Sequence, residues 1–428
     1  MQPEGELIQV PLAAGVCLHL HRISSYKTVR VDFCLSERIR KKRHSRLALI
    51  SRLLERGTRK LTDLQSLNRF IDELFGAHYY VETNRLGGFQ LIHLCLEVID
   101  DQLLGDRNGS VLAKGLDFLR EVLLEPAGDE FGFQHEYLDQ EKRFLTRQIA
   151  DLYNDKLGYA QQRCVEEMCR GESIALSPLG DPADFAEIEA DKLLGFHRRL
   201  LAENRIDLFI SGNFNPQTIV AMVEDFFTWE RDGYRPEEGV EFKSISKLAR
   251  DVYEIQDIHQ AKMVLGYRSA VLYGSEDYPA LLLLNVIIGG DGQSRLFRHL
   301  REEQGLCYYA ASHIEALCGL LFIVVGIESE SHLQVRNFLD QLIQSLRQGC
   351  IERNEIESAR RLLRVRLLGL REDREGFFLY QLREGFVGGS TTPSALLKGI
   401  EKVQVEDLVR VARGLVADTS YFLHGLGR

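Results

Sequence analysis

One order of elements is written twice along this chain, and that duplication constrains the fold more than any other feature. In the first half, LFGAHYYVETNRLGGFQLIHLCLEV carries a paired tyrosine at Tyr79 and Tyr80, a turn through Gly87 and Gly88, and then an alternating apolar strand. In the second half, QGLCYYAASHIEALCGLLFIVVGIES repeats that layout around Tyr308, Tyr309 and Gly319. Each hairpin is followed by a helical pattern, GLDFLREVLLEP against NFLDQLIQSLRQG, with apolar residues at helical spacing. A long charged amphipathic helix comes next in both halves, HEYLDQEKRFLTRQIADLYND against RNEIESARRLLRVRLLGLRED. Each half then closes with a polar helix and a short strand ending in glycine, IDLFISGN and TSYFLHGLG.

This plan predicts an α+β fold of two homologous halves. Each half is a mainly antiparallel sheet with helices packed on one face, and the halves face one another across a cleft. The charged, turn-rich segment TWERDGYRPEEGVEFKSISKLARD has no sustained apolar period, so the boundaries fall at 1–228, a linker at 229–250, and 251–428. A cleft between homologous halves is a natural place to hold a ligand. At 428 residues, two packed units are also what surface-to-volume scaling requires.

Charge and cysteine usage narrow the function. The net charge is −10 with basic residues interleaved among acids, which gives no electrostatic draw for nucleic acid. The one basic run, Arg38, Arg40, Lys41, Lys42 and Arg43, reads as a solvated loop before a helix. The opening MQPEGELIQVPLAAGV lacks a cationic region followed by an apolar one, and no window approaches about 18 uncharged apolar residues. Neither export nor membrane insertion is therefore expected, and the cytoplasm is the expected location. The 8 cysteines are scattered, several inside apolar runs, and are read as reduced. Cys164 and Cys169 are too far round a helix for a tight C-x-x-C site.

Of the 12 histidines no two stand four apart, so no helix offers the paired imidazoles of a zincin-like site. The loop GGDGQSR matches neither G-x-x-x-x-G-K-[ST] nor G-x-G-x-x-G, and no lysine follows, so no nucleotide site is expected. No cofactor is expected either.

The element order, together with GGDGQSRLFRHLREEQGLCYYAAS, resembles the insulinase and mitochondrial-processing-peptidase family over essentially the full length. The family's glycine pair, S-R-L-F, L-R-E and G-L-x-Y are matched by Gly289, Gly290, Ser294, Arg295, Leu296, Phe297, Leu300, Arg301, Glu302, Gly305, Leu306 and Tyr308. The resemblance implies that active relatives carry H-x-x-E-H on a helix ending in G-T, with a distal glutamate as third protein ligand to zinc. Counting back from Gly57 in HSRLALISRLLERGT, those positions hold Ala48, Ser51 and Arg52. The family's two glutamates seven apart become Glu141 and Gln148. By this resemblance the chain has no catalytic set and no metal, and is not an enzyme.

The stretch from Asp139 to Asp181, with its R-C-x-E-E-M-C-x-G-E core, resembles the inactive YfmF-type members found in Gram-positive bacteria. These are non-peptidase companions of an active homologue. The resemblance implies a heterodimer with an active zinc-peptidase homologue, self-association when isolated, and a peptide or protein substrate held in the cleft. It also implies a role in the pathway that completes modification of translation elongation factor P. Arg301 and Tyr308 match residues that reach the substrate backbone and the developing oxyanion, and so would assist the partner's site. The competing reading has Arg301 salt-bridged to Glu302 or Glu303 and Tyr308 simply packed in the hairpin. Gly289, Gly290 and Gly292 would form a flexible loop bordering the cleft. The first-half hairpin, Tyr79 to Val98, offers an edge for an extended peptide, although Tyr79, Tyr80 and Phe89 are also explained as sheet packing. A competing function is a peptide- or client-binding protein with no peptidase partner.

Overall fold

The computed structural model describes residues 7–105, 109–227, 229–231, 233–234 and 249–425. The expected linker falls largely on 235–248, outside the described residues.

The first sheet contains β1 (Leu7–Ala13), β2 (Val16–Arg22), β3 (Thr28–Arg38), β4 (His78–Leu86), β5 (Phe89–Ile99) and β6 (Arg205–Gly212), in the order β1-β2-β6-β3-β5-β4. Only the β2–β6 pair is parallel. Alternation in β3 sends Val29, Val31, Phe33 and Leu35 into the apolar core, as a period of two demands. That core is completed by α1 (Arg43–Leu54), α2 (Leu64–Glu73), α3 (Val111–Leu124) and α4 (His135–Asp151). After α5 (Lys156–Met168), which packs elsewhere, come α6 (Pro182–Phe185), α7 (Ala190–Glu203) and α8 (Pro216–Phe226).

The second sheet contains β7 (Arg250–Ile255), β8 (Ala261–Arg268), β9 (Cys307–Glu315), β10 (Leu320–Ile327) and β11 (Val416–His424), in the order β7-β11-β8-β10-β9. Its one parallel pair is β7–β11. The helices are α9 (Tyr278–Gly289), α10 (His332–Arg347), α11 (Arg353–Gly369), α12 (Arg374–Phe386), α13 (Pro393–Lys402) and α14 (Val405–Gly414), with a π-helical segment at Leu296–Glu303.

The two orders superpose strand for strand: β2-β6-β3-β5-β4 corresponds to β7-β11-β8-β10-β9, with the parallel pair in the same place, and β1 is an addition to the first sheet alone. The duplicated hairpins, the helices after them and the closing strands all stand where the sequence pattern put them.

The compact units do not follow chain order. One is Met1–Ala150 with Leu176–Glu238, and the other is Asp151–Ala175 with Gly239–Arg428, whereas the sequence reading divided the chain at 228. The reason is the second face of the second sheet, where Val264, Phe322, Val324, Tyr421 and Leu423 need apolar cover. Ala160, Cys164, Val165 and Met168 of α5 supply it, so this sheet has helical cover on more than one face. The approach is close enough that a Cβ at Gly266 would lie 2.5 Å from the Met168 sulfur. Arg268 locks the end of α5, donating to the Met168 carbonyl at 3.0 Å and to Glu172 and Asp418 at 2.6 and 2.9 Å.

Candidate functional site

α1 is buried along most of its length against β4 and β5, and it carries three of the degenerate positions. Ala48 and Ser51 are fully buried, and the Ser51 hydroxyl donates to the Ala48 carbonyl at 2.8 Å. Arg52 points to α4, where its Nε donates to Glu141 Oε2 at 3.0 Å. One helical turn on, Arg56 Nε donates to the other carboxylate oxygen, Oε1, at 2.6 Å. Glu141 is a completely buried carboxylate, with side-chain exposure of 0% against 28% and 21% for the two arginines. Two guanidiniums thus take both oxygens of one buried acid, the arrangement that makes a buried charge tolerable.

The rest of the cluster fixes the arginines in place. Arg52 Nη1 also donates to Glu55 at 2.5 Å, and its guanidinium lies 4.6 Å from the centre of the Phe144 ring. Arg56 stands 5.5 Å from the Tyr137 ring centre. Burial pushes the Glu55 carboxyl up; the Arg52 guanidinium opposes this, while the charge of Glu141 adds to it. Gln148, two turns beyond Glu141, is exposed on α4.

These residues do not fit a zinc ion. Alanine has no donor atom, the serine hydroxyl is engaged with the backbone, and a guanidinium is a fixed cation without a lone pair to give. Among the described residues, no group of three or more His, Cys, Asp or Glu gathers in a way that would hold a metal. Sequence reading identified Arg52 and Glu141 but missed Arg56 and Glu55. The signal was present as two arginines four apart, one in the last turn of α1 and one just past its end, with a glutamate at an apolar position of α4.

The second-half residues stand at the end of the other sheet. Gly289 closes α9 so tightly against β9 that a Cβ would lie 2.6 Å from the Ser312 nitrogen. A Cβ at Gly290 would meet the Val286 backbone at 2.6 Å, while one at Gly292 would meet only the Phe297 ring, at an ordinary contact distance of 3.9 Å. At the first two positions the glycines thus serve packing within this unit. Arg295 forms a half-hidden brace, with 2.7 Å bonds to both oxygens of Glu355 and a 2.9 Å bond to Ser345.

Arg301 sits in the π-helical segment, is exposed, and stacks 4.9 Å from the Phe297 ring centre. Neighbouring Glu303 pairs with His299 at 2.6 Å. Tyr308, on β9 at the sheet edge, is 54% exposed, and its hydroxyl donates to Glu328. In the first hairpin Tyr79 donates to the Leu54 carbonyl at 2.9 Å, and Tyr80 accepts from Arg30 at 3.1 Å. Both are tied into the sheet, and β4 is nonetheless an edge strand. The basic run is paired locally: Arg43 with Glu37 at 2.9 Å, Lys42 with Glu187 at 3.2 Å.

A duplicated sheet-and-helix architecture defines the class, and known proteins share it. Residues 187–363 match the family described as "Peptidase M16 inactive domain". Over these residues the chain is similar to that family. In particular it is 29% identical over 419 residues, 96% of each chain, to the "Probable inactive metalloprotease YmfF" of Bacillus subtilis (strain 168). The subgroup name expected from sequence, YfmF, is thus corrected by a transposition of letters. Among solved structures, a conserved protein from Enterococcus faecalis V583 superposes with a TM-score of 0.90 at 26% identity, covering 99% of both chains. A peptidase M16 inactive domain from Pseudomonas fluorescens shares the fold, with a TM-score of 0.81 at 15% identity over 99% of this chain and 98% of that one.

No helix among the described residues is long and apolar enough to cross a membrane.

Proposed function

We propose that this chain is a pseudo-peptidase subunit that pairs with an active zinc-peptidase homologue and contributes Arg301 and Tyr308 to that partner's substrate cleft. The observation that supports the reading is the pairing of Arg52 and Arg56 with buried Glu141, beside positions that the sequence resemblance equates with a metal site. The exposure of Arg301 and Tyr308 supports their availability to a substrate. A fixed guanidinium and a phenol are suited to a peptide backbone and a developing oxyanion. A cytoplasmic location, which rests on the sequence pattern, and a role in elongation factor P modification, which rests on the sequence resemblance, are part of the proposal.

Co-expression with the homologue that retains H-x-x-E-H tests the pairing. A one-to-one complex is expected, with zinc confined to the partner and peptide hydrolysis present in the complex but absent from this chain alone. Arg301→Ala is expected to lower turnover by about 10²-fold, the scale of losing one oxyanion donor, with assembly intact. Unchanged turnover would remove the catalytic contribution, and failure to form a complex would favour a client-binding protein without a peptidase partner. Deleting the gene and weighing elongation factor P by mass spectrometry tests the pathway.

A further inference from the structure

The loop between α9 and the π-helical segment contains an Asp–Gly step, Asp291–Gly292. It is the one Asp–Gly or Asn–Gly step with both residues described, since Asn108 and Asp232 of the other two fall outside the described residues. Glycine has no Cβ, so its backbone nitrogen can swing toward the side chain of the residue before it at little steric cost. In a helix or strand that nitrogen is held by the hydrogen bond of the ladder.

The Gly292 nitrogen is not held in this way. Asp291 opens a turn closed by Ser294, whose nitrogen and hydroxyl donate to the Asp291 carbonyl at 3.2 and 2.6 Å. Asp291 Oδ1 accepts from the Gln293 nitrogen at 2.9 Å. Among the described residues the Gly292 N–H has no hydrogen-bond partner, and neither has Asp291 Oδ2. Gly292 is exposed, with only the Phe297 ring within contact distance of a Cβ built there. A free backbone nitrogen therefore follows a carboxyl whose one oxygen is held by a donor, which draws electron density from Cγ, and whose other oxygen is free to leave.

We infer that Asp291 is a site of spontaneous covalent modification, converting to isoaspartate through a cyclic imide while the chain is folded. From the neutral carboxyl, the Gly292 nitrogen attacks Cγ of Asp291, and the carboxyl hydroxyl leaves with the amide proton as water, closing a succinimide ring. Water then opens the ring at one of two bonds. Cleavage of the new Cγ–N bond restores aspartate. Cleavage of the original peptide bond leaves isoaspartate, with the main chain running through Cγ and longer by one methylene. That methylene falls between two fixed points: Gly290, whose carbonyl accepts from Arg366 at 2.9 Å, and Ser294, which is buried. The turn is thereby pulled from its hydrogen bonds, directly before the π-helical segment that carries Arg301. The chemistry belongs to the loop alone and is independent of the proposed pairing with a peptidase.

The test holds the full chain at neutral pH and physiological temperature for several weeks, then digests it and resolves the peptides by mass spectrometry with electron-transfer fragmentation. That method separates isoaspartate from aspartate at residue 291 and keeps the steps at 108 and 232 apart from it. Isoaspartate is expected to accumulate at 291 at a rate within about tenfold of that in a free synthetic peptide of the loop, IIGGDGQSR, a barrier difference under about 1.4 kcal/mol. Gly292→Ala, which the packing accommodates, is expected to slow the accumulation severalfold, and Asp291→Glu to abolish it because a larger ring would have to close. Formation in the folded chain slower than in the peptide by more than about tenfold would overturn the inference, since the fold would then be protecting the step. Accumulation indifferent to Gly292→Ala would overturn it as well, because the attack would not then run through that nitrogen.

Discussion

Glu141→Gln isolates the ion pairs that Arg52 and Arg56 make with Glu141. The substitution keeps the side-chain shape and one acceptor but removes the charge from a site with no solvent exposure. The native carboxylate receives bonds of 3.0 and 2.6 Å from Arg52 and Arg56. Bonds to a charged group contribute about 1.5–3 kcal/mol each, so the pair supports about 3–6 kcal/mol in total. Breaking a buried pair by removing one partner costs about 3–5 kcal/mol. The arginines are 28% and 21% exposed and regain part of their hydration once released, which places the expected loss at the lower end. A loss of about 3 kcal/mol lowers the melting midpoint of a unit of roughly 200 residues by about 6–12 °C. Differential scanning calorimetry reads the midpoint, and urea titration reads the free energy. Replacing all three groups with apolar ones, Glu141→Leu with Arg52→Met and Arg56→Met, is expected to recover most of the stability, because no buried charge is then stranded. If Glu141→Gln changes stability by less than about 0.5 kcal/mol, the surface-mutation scale, the cluster does not hold α1 to α4 and the reasoning fails.

Other perturbations follow from the same structure. Installing Ala48→His, Ser51→Glu, Arg52→His and Gln148→Glu together is expected to create zinc binding of one ion per chain by mass spectrometry of the metal. Adding Arg56→Ala should tighten it by removing a fixed cation, and no retained zinc would mean that the register counted from Gly57 is wrong. Gly289→Ala places a methyl 2.6 Å from the Ser312 nitrogen and is expected to cost about 1–3 kcal/mol in urea unfolding, whereas Gly292→Ala, at an ordinary contact distance from the Phe297 ring, is expected to be near neutral. Burial opposes protonation of His93, but hydrogen bonds at 2.9 Å to Asp32 and 3.0 Å to Glu82 outweigh it and hold its pKa above the usual value. A raised folded-state pKa means that stability is fully present below the unfolded value of about 6.5 and is lost as pH rises through the folded one. His93→Gln is therefore expected to flatten the decline in unfolding free energy as the pH rises above about 6.5. An unchanged slope would contradict that role.

The fold was legible in the residues because it depends on local pattern. Alternation in VRVDFCL and LLFIVV declares strands, helical spacing in RNEIESARRLL declares a helix, and the same order occurring twice declares a duplicated architecture. The reading of Ala48, Ser51, Arg52 and Gln148 as non-liganding likewise rests on residue identity alone. Three things were decided only by tertiary structure. Arg56 joins Arg52 on Glu141 because α4 packs across α1, a pairing 85 residues apart in the chain that periodicity cannot see. α5 leaves its chain neighbours for the second sheet because an apolar face there needs cover, and hydrophobic burial is indifferent to chain order. That β1 covers the edge of β2, while no strand among the described residues pairs with the outer edge of β7, shows only in the sheet order, since a strand's sequence does not record whether another strand lies beside it.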